Sequence, residues 1–254
     1  MAESRTRLGV SAYAICVFIL TIGSNGVRNL LTWWGFLAAA LALTVWGVVL
    51  FVREKPERFR WYRLPAPVYW FLALAALSIA WSQYRLESVL GVLAQLATTL
   101  LAVVLAFVLT WHEVLRALGA ALRWIIGVSF VFELGVAVLV RHPVVQPVAL
   151  GEVPDEGKVP KLLYWSRDLL FAGGPIQGIV ASSVLFGFIG LLGLIVFGIQ
   201  LRAGLVRPFA GWCWVVVALA AILLTRGATV WVALVAAGAA LALALWGRRL
   251  GPEG

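Results

Sequence analysis

The sequence predicts an all-α, polytopic bundle of transmembrane helices, with about eight spans and both termini in the cytoplasm. Three observations point there. Of the 254 residues, 63% are hydrophobic and 12% charged, against roughly 45–50% and about 25% in soluble domains. The apolar residues run in unbroken blocks, as at 36–52 and 89–109. Such blocks fit helices that satisfy their own backbone in lipid, whereas barrel strands would alternate with a period of two. Finally, the basic residues behind the net charge of +9 stand in short segments between the blocks, which is a topology signal and not the stripe of a nucleic-acid groove.

The expected spans are 8–23, 33–52, 67–81, 89–109, 124–140, 179–200, 212–225 and 228–246. The start, with Arg5 and Arg7 before an apolar run, has the shape of a signal peptide. Ser24-Asn25-Gly26 stands where a small-residue cleavage site would follow, so a retained first span is expected. The first, third and seventh segments are short for a full crossing. The last two are parted only by Arg226-Gly227, which suits a tight hairpin or a re-entrant turn. With the N-terminus inside, the cytoplasmic pieces hold Arg5, Arg7, the Arg53 to Arg63 cluster, Arg116, Arg123, Arg202, Arg207, Arg248 and Arg249. The outer pieces hold Arg28, Arg85, Arg141, Lys158, Lys161, Arg167 and Arg226. The excess on the first side sets the orientation. Trp33, Trp46, Trp81, Trp111, Trp124, Trp212 and Trp246 fall near expected span ends, where indole settles at the membrane interface.

The whole chain, 1–254, reads as a single transmembrane domain in the cell membrane. Segment 112–123 is expected as an interfacial amphipathic helix, because Val114, Leu115, Leu118 and Leu122 share one face. Segment 141–178 is the one long loop, and it faces outward. Gly187, Gly190, Gly193 and Gly198 dot the sixth span; close helix packing explains them better than a ligand. Cys16 and Cys213 lie inside apolar blocks, and His112 and His142 stand far apart. No metal-ligand or redox spacing results, and no metal or cofactor is expected. Membrane lipids are expected partners of the positive charge, nucleic acid is not, and the oligomeric state is not legible.

Three places carry the residue types of a chemical site. In the outer loop, Lys158, Lys161 and Arg167 are candidates to hold phosphate, beside Tyr164 and Trp165, whose rings would stack on a sugar; a solvated loop with Glu152, Asp155, Glu156 and Asp168 balancing the charge explains the same residues. Glu133 lies mid-span in Phe130-Val131-Phe132-Glu133-Leu134. A carboxylate at that depth calls for a partner or a cavity; an ion pair with an arginine is the first expectation, ahead of a catalytic role or protonation in place. Arg226 sits at a helix junction, where both phosphate capture beside a helix N-terminus and simple snorkelling account for it. No nucleotide-binding loop and no Ser-His-Asp or Cys-His motif is present, and no catalytic residue is assigned.

Several short runs resemble actinobacterial members of the O-antigen ligase and polysaccharide polymerase family. They are Ser82-Gln83-Tyr84-Arg85-Leu86-Glu87-Ser88 with Leu90-Gly91-Val92-Leu93, Tyr164 to Phe171, Ile176-Gln177-Gly178-Ile179, and Leu224-Thr225-Arg226-Gly227-Ala228-Thr229-Val230. The last is similar to an arginine-bearing turn between two spans. The resemblance implies a glycosyltransferase that takes a glycan from a polyprenyl diphosphate on the outer face and joins it to an acceptor hydroxyl, without metal or nucleotide. Arginines would hold the leaving diphosphate, and Arg167 and Arg226 are the positions that fit, with Lys158 and Lys161 behind them. Pro175 stands where the family has an arginine, and Ala181-Ser182-Ser183 where it has an asparagine-containing turn. The family's later outer loop, with the histidine that acts as base, would lie beyond Gly254. The chain is thus expected to be the N-terminal part of such an enzyme, a truncated paralogue or an inactive relative. A non-catalytic membrane protein that binds lipid-linked glycan or scaffolds envelope enzymes is the alternative. A small-solute transporter with Glu133 as its coupling group is the third.

Overall fold

A computed structural model describes residues 2–54, 64–149 and 159–250. The fold is all-α: 81% of it is helical. The helices are α1 (Ala2–Ile22), α2 (Ser24–Glu54), α3 (Ala66–Leu77), α4 (Arg85–Val108), α5 (Trp111–Gly135), α6 (Ser183–Arg202), α7 (Pro208–Thr225) and α8 (Ala228–Leu250). Five segments are long and apolar enough to cross a membrane: Ser24–Glu54, Arg85–Val108, Trp111–Val140, Ser183–Arg202 and Pro208–Thr225. Shorter apolar helices occupy Arg7–Ile22, Ala66–Trp81 and Ala228–Ala244.

Two compact units result, one of Met1–Thr21 with Trp34–Leu118 and one of Ile22–Trp33 with Gly119–Gly254. In the first, Tyr13 is fully buried. Its ring meets Trp46 edge-on at 5.4 Å, and its hydroxyl fills the space a Cβ at Gly47 would need. Arg7 pairs with Glu113 at 2.9 Å. In the second, α6 lies against α7 with small residues at the contact. A Cβ on Gly190 would come within 3.1 Å of both the Ala218 carbonyl and the Ala221 side chain. Leu191, Ile222 and Val230 make a buried cluster from α6, α7 and α8. Apolar chains gain nothing by leaving lipid for one another, so close approach over small residues is what holds such helices together. Gly187 and Gly193 face neighbours as closely as Gly190, whereas Gly198 faces open space.

Three boundaries differ from the sequence reading. Segment 112–123 is no separate helix; it opens α5, which runs unbroken to Gly135. Its start is fixed by a capping box: Glu113 accepts the Thr110 N–H at 2.8 Å, and Thr110 Oγ1 accepts the Glu113 N–H at 3.4 Å. Trp124, read as a span boundary, therefore lies inside the helix. Residues 24–31 are also helical. Only Gly23 separates α1 from α2, and α2 kinks at Thr32, which has φ 62° and ψ 179°. The sixth helix begins at Ser183 and not at Ile179, because the Ser182 side chain caps it by accepting the Leu185 N–H at 3.3 Å.

The connection from α5 to α6 is folded where it is described. After α5, a π-turn at Val136–Val140 ends on Arg141 in the left-handed region at φ 58°. Strand β1 (Val144–Val145) pairs antiparallel with β2 (Tyr164–Ser166), matching Val144 with Ser166 and Val145 with Tyr164. That register leaves Trp165 as an extra, bulged residue. It turns inward, and its indole donates to the Ile179 carbonyl at 2.8 Å. Glu152, Asp155, Glu156 and Lys158 of the outer loop fall outside the described residues.

Candidate functional site at the α5–α6 connection

The site is built on one face of α5. Ser129 and Glu133 stand four residues apart, so they lie one above the other on that face. The carboxylate of Glu133, 1% exposed, accepts three hydrogen bonds. Gln177 N–H and Gly178 N–H donate to Oε1 at 2.9 and 2.7 Å, and Ser166 Oγ donates to Oε2 at 2.8 Å. Ser129 Oγ accepts the next amide, Ile179 N–H, at 3.2 Å. Consecutive backbone amides around a left-handed residue form a concave anion nest; here Gly178 has φ +59°, and the anion is supplied by the chain itself. A Cβ at Gly178 would lie 2.8 Å from the Ser129 side chain, so the position requires glycine on both counts. The expected arginine partner of Glu133 is replaced by these donors. A buried carboxylate needs hydrogen bonds as much as opposite charge, and a folded loop supplies them.

The two arginines expected to hold phosphate both reach the next turn. Arg167 directly follows Ser166, and its NH2 donates to the Pro175 carbonyl at 3.4 Å; its Nε is buried without a hydrogen-bond partner. Arg226 caps α7 in the left-handed region at φ 49° and is exposed. Its guanidinium lies 3.6 Å from where a Cβ on Gly173 would sit. Between them, the Ile176 N–H donates to the Leu224 carbonyl at 3.2 Å, satisfying a helix-end acceptor that α7 itself leaves open. Both guanidinium groups thus reach Gly173-Gly174-Pro175, Arg167 at the Pro175 carbonyl and Arg226 at Gly173. Lys161 is exposed at the start of the 3-10 turn Lys161–Leu163, and no contact joins it to either arginine among the described residues.

Left-handed backbone gathers in this unit. Besides Gly173 and Gly178, the non-glycine residues Asp168, Ala181 and Arg226 have φ of 55°, 56° and 49°. Each such residue costs about 1–3 kcal/mol and persists only where its surroundings enforce it, commonly at functional sites. Sequence reasoning missed the partners: Ser166 and Gln177 on Glu133, and Pro175 on Arg167. It also missed the segment 22–33. There Asn25 Nδ2 donates to the Val180 carbonyl at 3.0 Å, Arg28 NH2 donates to Asn25 Oδ1 at 2.8 Å, and buried Asn29 donates to Gln146 Oε1 at 3.3 Å. Arg28 also stacks over Trp33 at 4.6 Å. A visible signal existed, since Asn25, Arg28 and Asn29 share one helical face at spacings of three and four.

Chemically, the arrangement offers planar cationic groups beside a turn, which suits a phosphate or diphosphate. Among the described residues no group of three or more metal-ligating side chains exists. The long apolar helices and this polar, folded connection define the class: an all-α membrane protein. No family model, curated protein or solved structure matches the chain.

Proposed function

We propose that the protein is a multi-pass cell-membrane protein of eight spans, with both termini cytoplasmic and the α5–α6 connection outside. We further propose that it acts as a glycan ligase or polymerase of the O-antigen ligase type, or as the N-terminal part of one. Its substrate would be a polyprenyl-diphosphate-linked glycan, transferred to an acceptor in envelope polysaccharide assembly. The observation that carries this reading is the pair Arg167 and Arg226, both at the turn 173–175, one with a buried Nε that lacks a partner. Guanidinium groups so placed would bind the diphosphate and neutralise the charge that grows on it as it leaves.

A second reading, a non-catalytic binder of the same lipid, draws support from Glu133. Both oxygens of that buried carboxylate are already engaged by the chain's own donors. A carboxylate that is 1% exposed and already holds three donors is poorly placed to take a proton from a sugar hydroxyl, and the same engagement speaks against the coupling role a transporter would ask of it.

The test is binding of a polyprenyl diphosphate to purified protein in detergent. Arg226→Ala is expected to weaken it by about 1.5–3 kcal/mol, the usual worth of a hydrogen bond to a charged group. Arg226→Lys should recover part, because a point charge lacks the planar fork. Arg53→Ala is the control and should change nothing. If Arg226→Ala binds as tightly as the parent, Arg226 is a snorkelling boundary residue and the phosphate site is lost. The orientation has its own check: with Cys16 and Cys213 replaced by alanine, a cysteine introduced at position 57 should resist an impermeant thiol reagent added outside intact cells. Labelling there would reverse the topology.

A further inference from the structure

The proposed lipid site rests on two arginines that reach one turn from different elements. Arg226 is fixed by its place at the end of α7, whereas Arg167 sits in irregular chain. Something must hold that chain. Residues 166–178 form a closed loop whose two feet stand on a single carboxylate. One foot is Ser166, which donates to Glu133 Oε2, and the other is the pair of amides at Gln177 and Gly178, which donate to Oε1. Arg167 is the first residue inside one foot. Pro175, whose carbonyl Arg167 grips, lies two residues inside the other.

The feet are further braced. The Asp168 N–H donates to Ser166 Oγ at 3.3 Å, so this hydroxyl links Glu133 to both sides of Arg167. Gln177 Nε2 donates to the Ala181 carbonyl at 3.2 Å. At the far end, Ile176 is tied to Leu224, next to Arg226. The Ile176–Leu224 bond thus joins Arg226 to the loop that Glu133 closes, and the Trp165 indole on the Ile179 carbonyl and the pairing of Ser166 with Val144 brace the same foot.

We infer that Glu133 is the positioning residue of the two-arginine site: it clamps the loop 166–178 and thereby holds Arg167 at the turn that Arg226 reaches. This deepens the proposed lipid-diphosphate reading and rests on it. Glu133 itself touches no ligand. Its role is to be an acceptor with two oxygens at a fixed depth on α5, and glutamine can fill most of that role. The amide Oε1 of glutamine accepts the same two backbone N–H groups, and the Ser166 hydroxyl can rotate to accept from its Nε2.

The experiment uses the 254-residue chain in detergent with farnesyl diphosphate as probe and inorganic pyrophosphate as the lipid-free arm. Glu133→Gln should bind within about threefold of the parent, and Glu133→Ala at least tenfold more weakly, factors of that size following from a hydrogen bond to a charged group. Arg167→Ala should weaken the parent about tenfold yet add nothing in the Glu133→Ala background, because the arginine is already displaced. If Glu133→Ala does not fold, Ser166→Ala replaces it: it removes one foot only and should give an intermediate loss that Arg167→Ala does not deepen in full. Additive losses in the folded double variant, or equal binding by Glu133→Gln and Glu133→Ala, would overturn the inference. Weaker binding of pyrophosphate than of farnesyl diphosphate, with the same rank among variants, places the shared chemistry at the diphosphate of a lipid. Amide hydrogen exchange over 176–180 reads the clamp without any ligand, and Glu133→Ala or Ser166→Ala should speed it. Unchanged exchange removes the clamp, whereas faster exchange with parent-like binding by Arg167→Ala and Arg226→Ala removes the lipid reading and leaves the clamp standing.

Discussion

Helices α3 and α6 are both apolar along most of their length, yet they are held in opposite ways. No residue of α3 is buried, and Trp70, Phe71, Leu74 and Leu77 are all largely exposed. In α6, Phe186, Gly187, Ile189, Gly190, Leu191, Gly193, Val196, Phe197 and Gln200 are buried against other chain. Hydropathy does not separate the two, because lipid and protein interior are equally apolar. What separates them is side-chain size. Gly187, Gly190 and Gly193 give α6 a surface into which α7 and α8 fit, and α3 has no glycine. The polar parts divide likewise. Just beyond α3, Ser78 donates locally to the Ala75 carbonyl, whereas the bonds at Ser129 and Glu133 of α5 join residues 33 to 50 positions apart in sequence.

That contrast fixes where substitution should hurt. The largest effect belongs to Glu133→Leu, which fills similar space but leaves the Gln177 and Gly178 amides and the Ser166 hydroxyl without an acceptor. At about 1–3 kcal/mol for each orphaned buried group, thermal unfolding in detergent should fall by an amount equivalent to roughly 3 kcal/mol or more. A parent-like unfolding curve would mean these donors find other acceptors. Next comes Gly190→Leu, which drives a branched side chain into the Ala218 carbonyl. A loss of about 1–3 kcal/mol is expected from overpacking, read as a lower unfolding temperature; a neutral result would show that α6 and α7 slide apart at no cost. Smallest is Leu74→Ala on α3, expected within about 0.5 kcal/mol of the parent because the side chain is largely exposed. A loss as large as that of Gly190→Leu would show that α3 is covered by something.

Much of the fold could be read from the chain because bilayer thickness and backbone hydrogen bonding leave few options to apolar blocks. The all-α class, the turn at Arg226-Gly227 and the packing role of Gly190 are of this kind. Boundaries were less legible where polar residues do two jobs. Segment 112–123 reads as an interfacial helix of its own, yet the mutual capping of Thr110 and Glu113 starts α5 itself. Ser24, Asn25 and Gly26 read as a break between spans, but Asn25 spends its amide on the Val180 carbonyl and the chain around it stays helical. At the site, Glu133 stands out because charge is costly mid-span, and Arg167 and Arg226 because basic residues in an outer loop and at a helix junction suit phosphate. Their partners did not, because a backbone amide carries no mark in the sequence: the N–H groups of Gln177 and Gly178 become donors to Glu133 only once Gly178 adopts its left-handed turn.

The proposed lipid site brings Arg167 and Arg226 against a lipid diphosphate. A short-chain polyprenyl diphosphate with a diazirine on its first isoprene unit tests it most directly, by photolabelling the protein in membranes and mapping the adducts by mass spectrometry. The account predicts adducts within 167–178 and 224–231, displaced by unlabelled lipid and reduced by Arg226→Ala. Displaceable adducts confined to α1, α3 and α4, and untouched by Arg226→Ala, would contradict it.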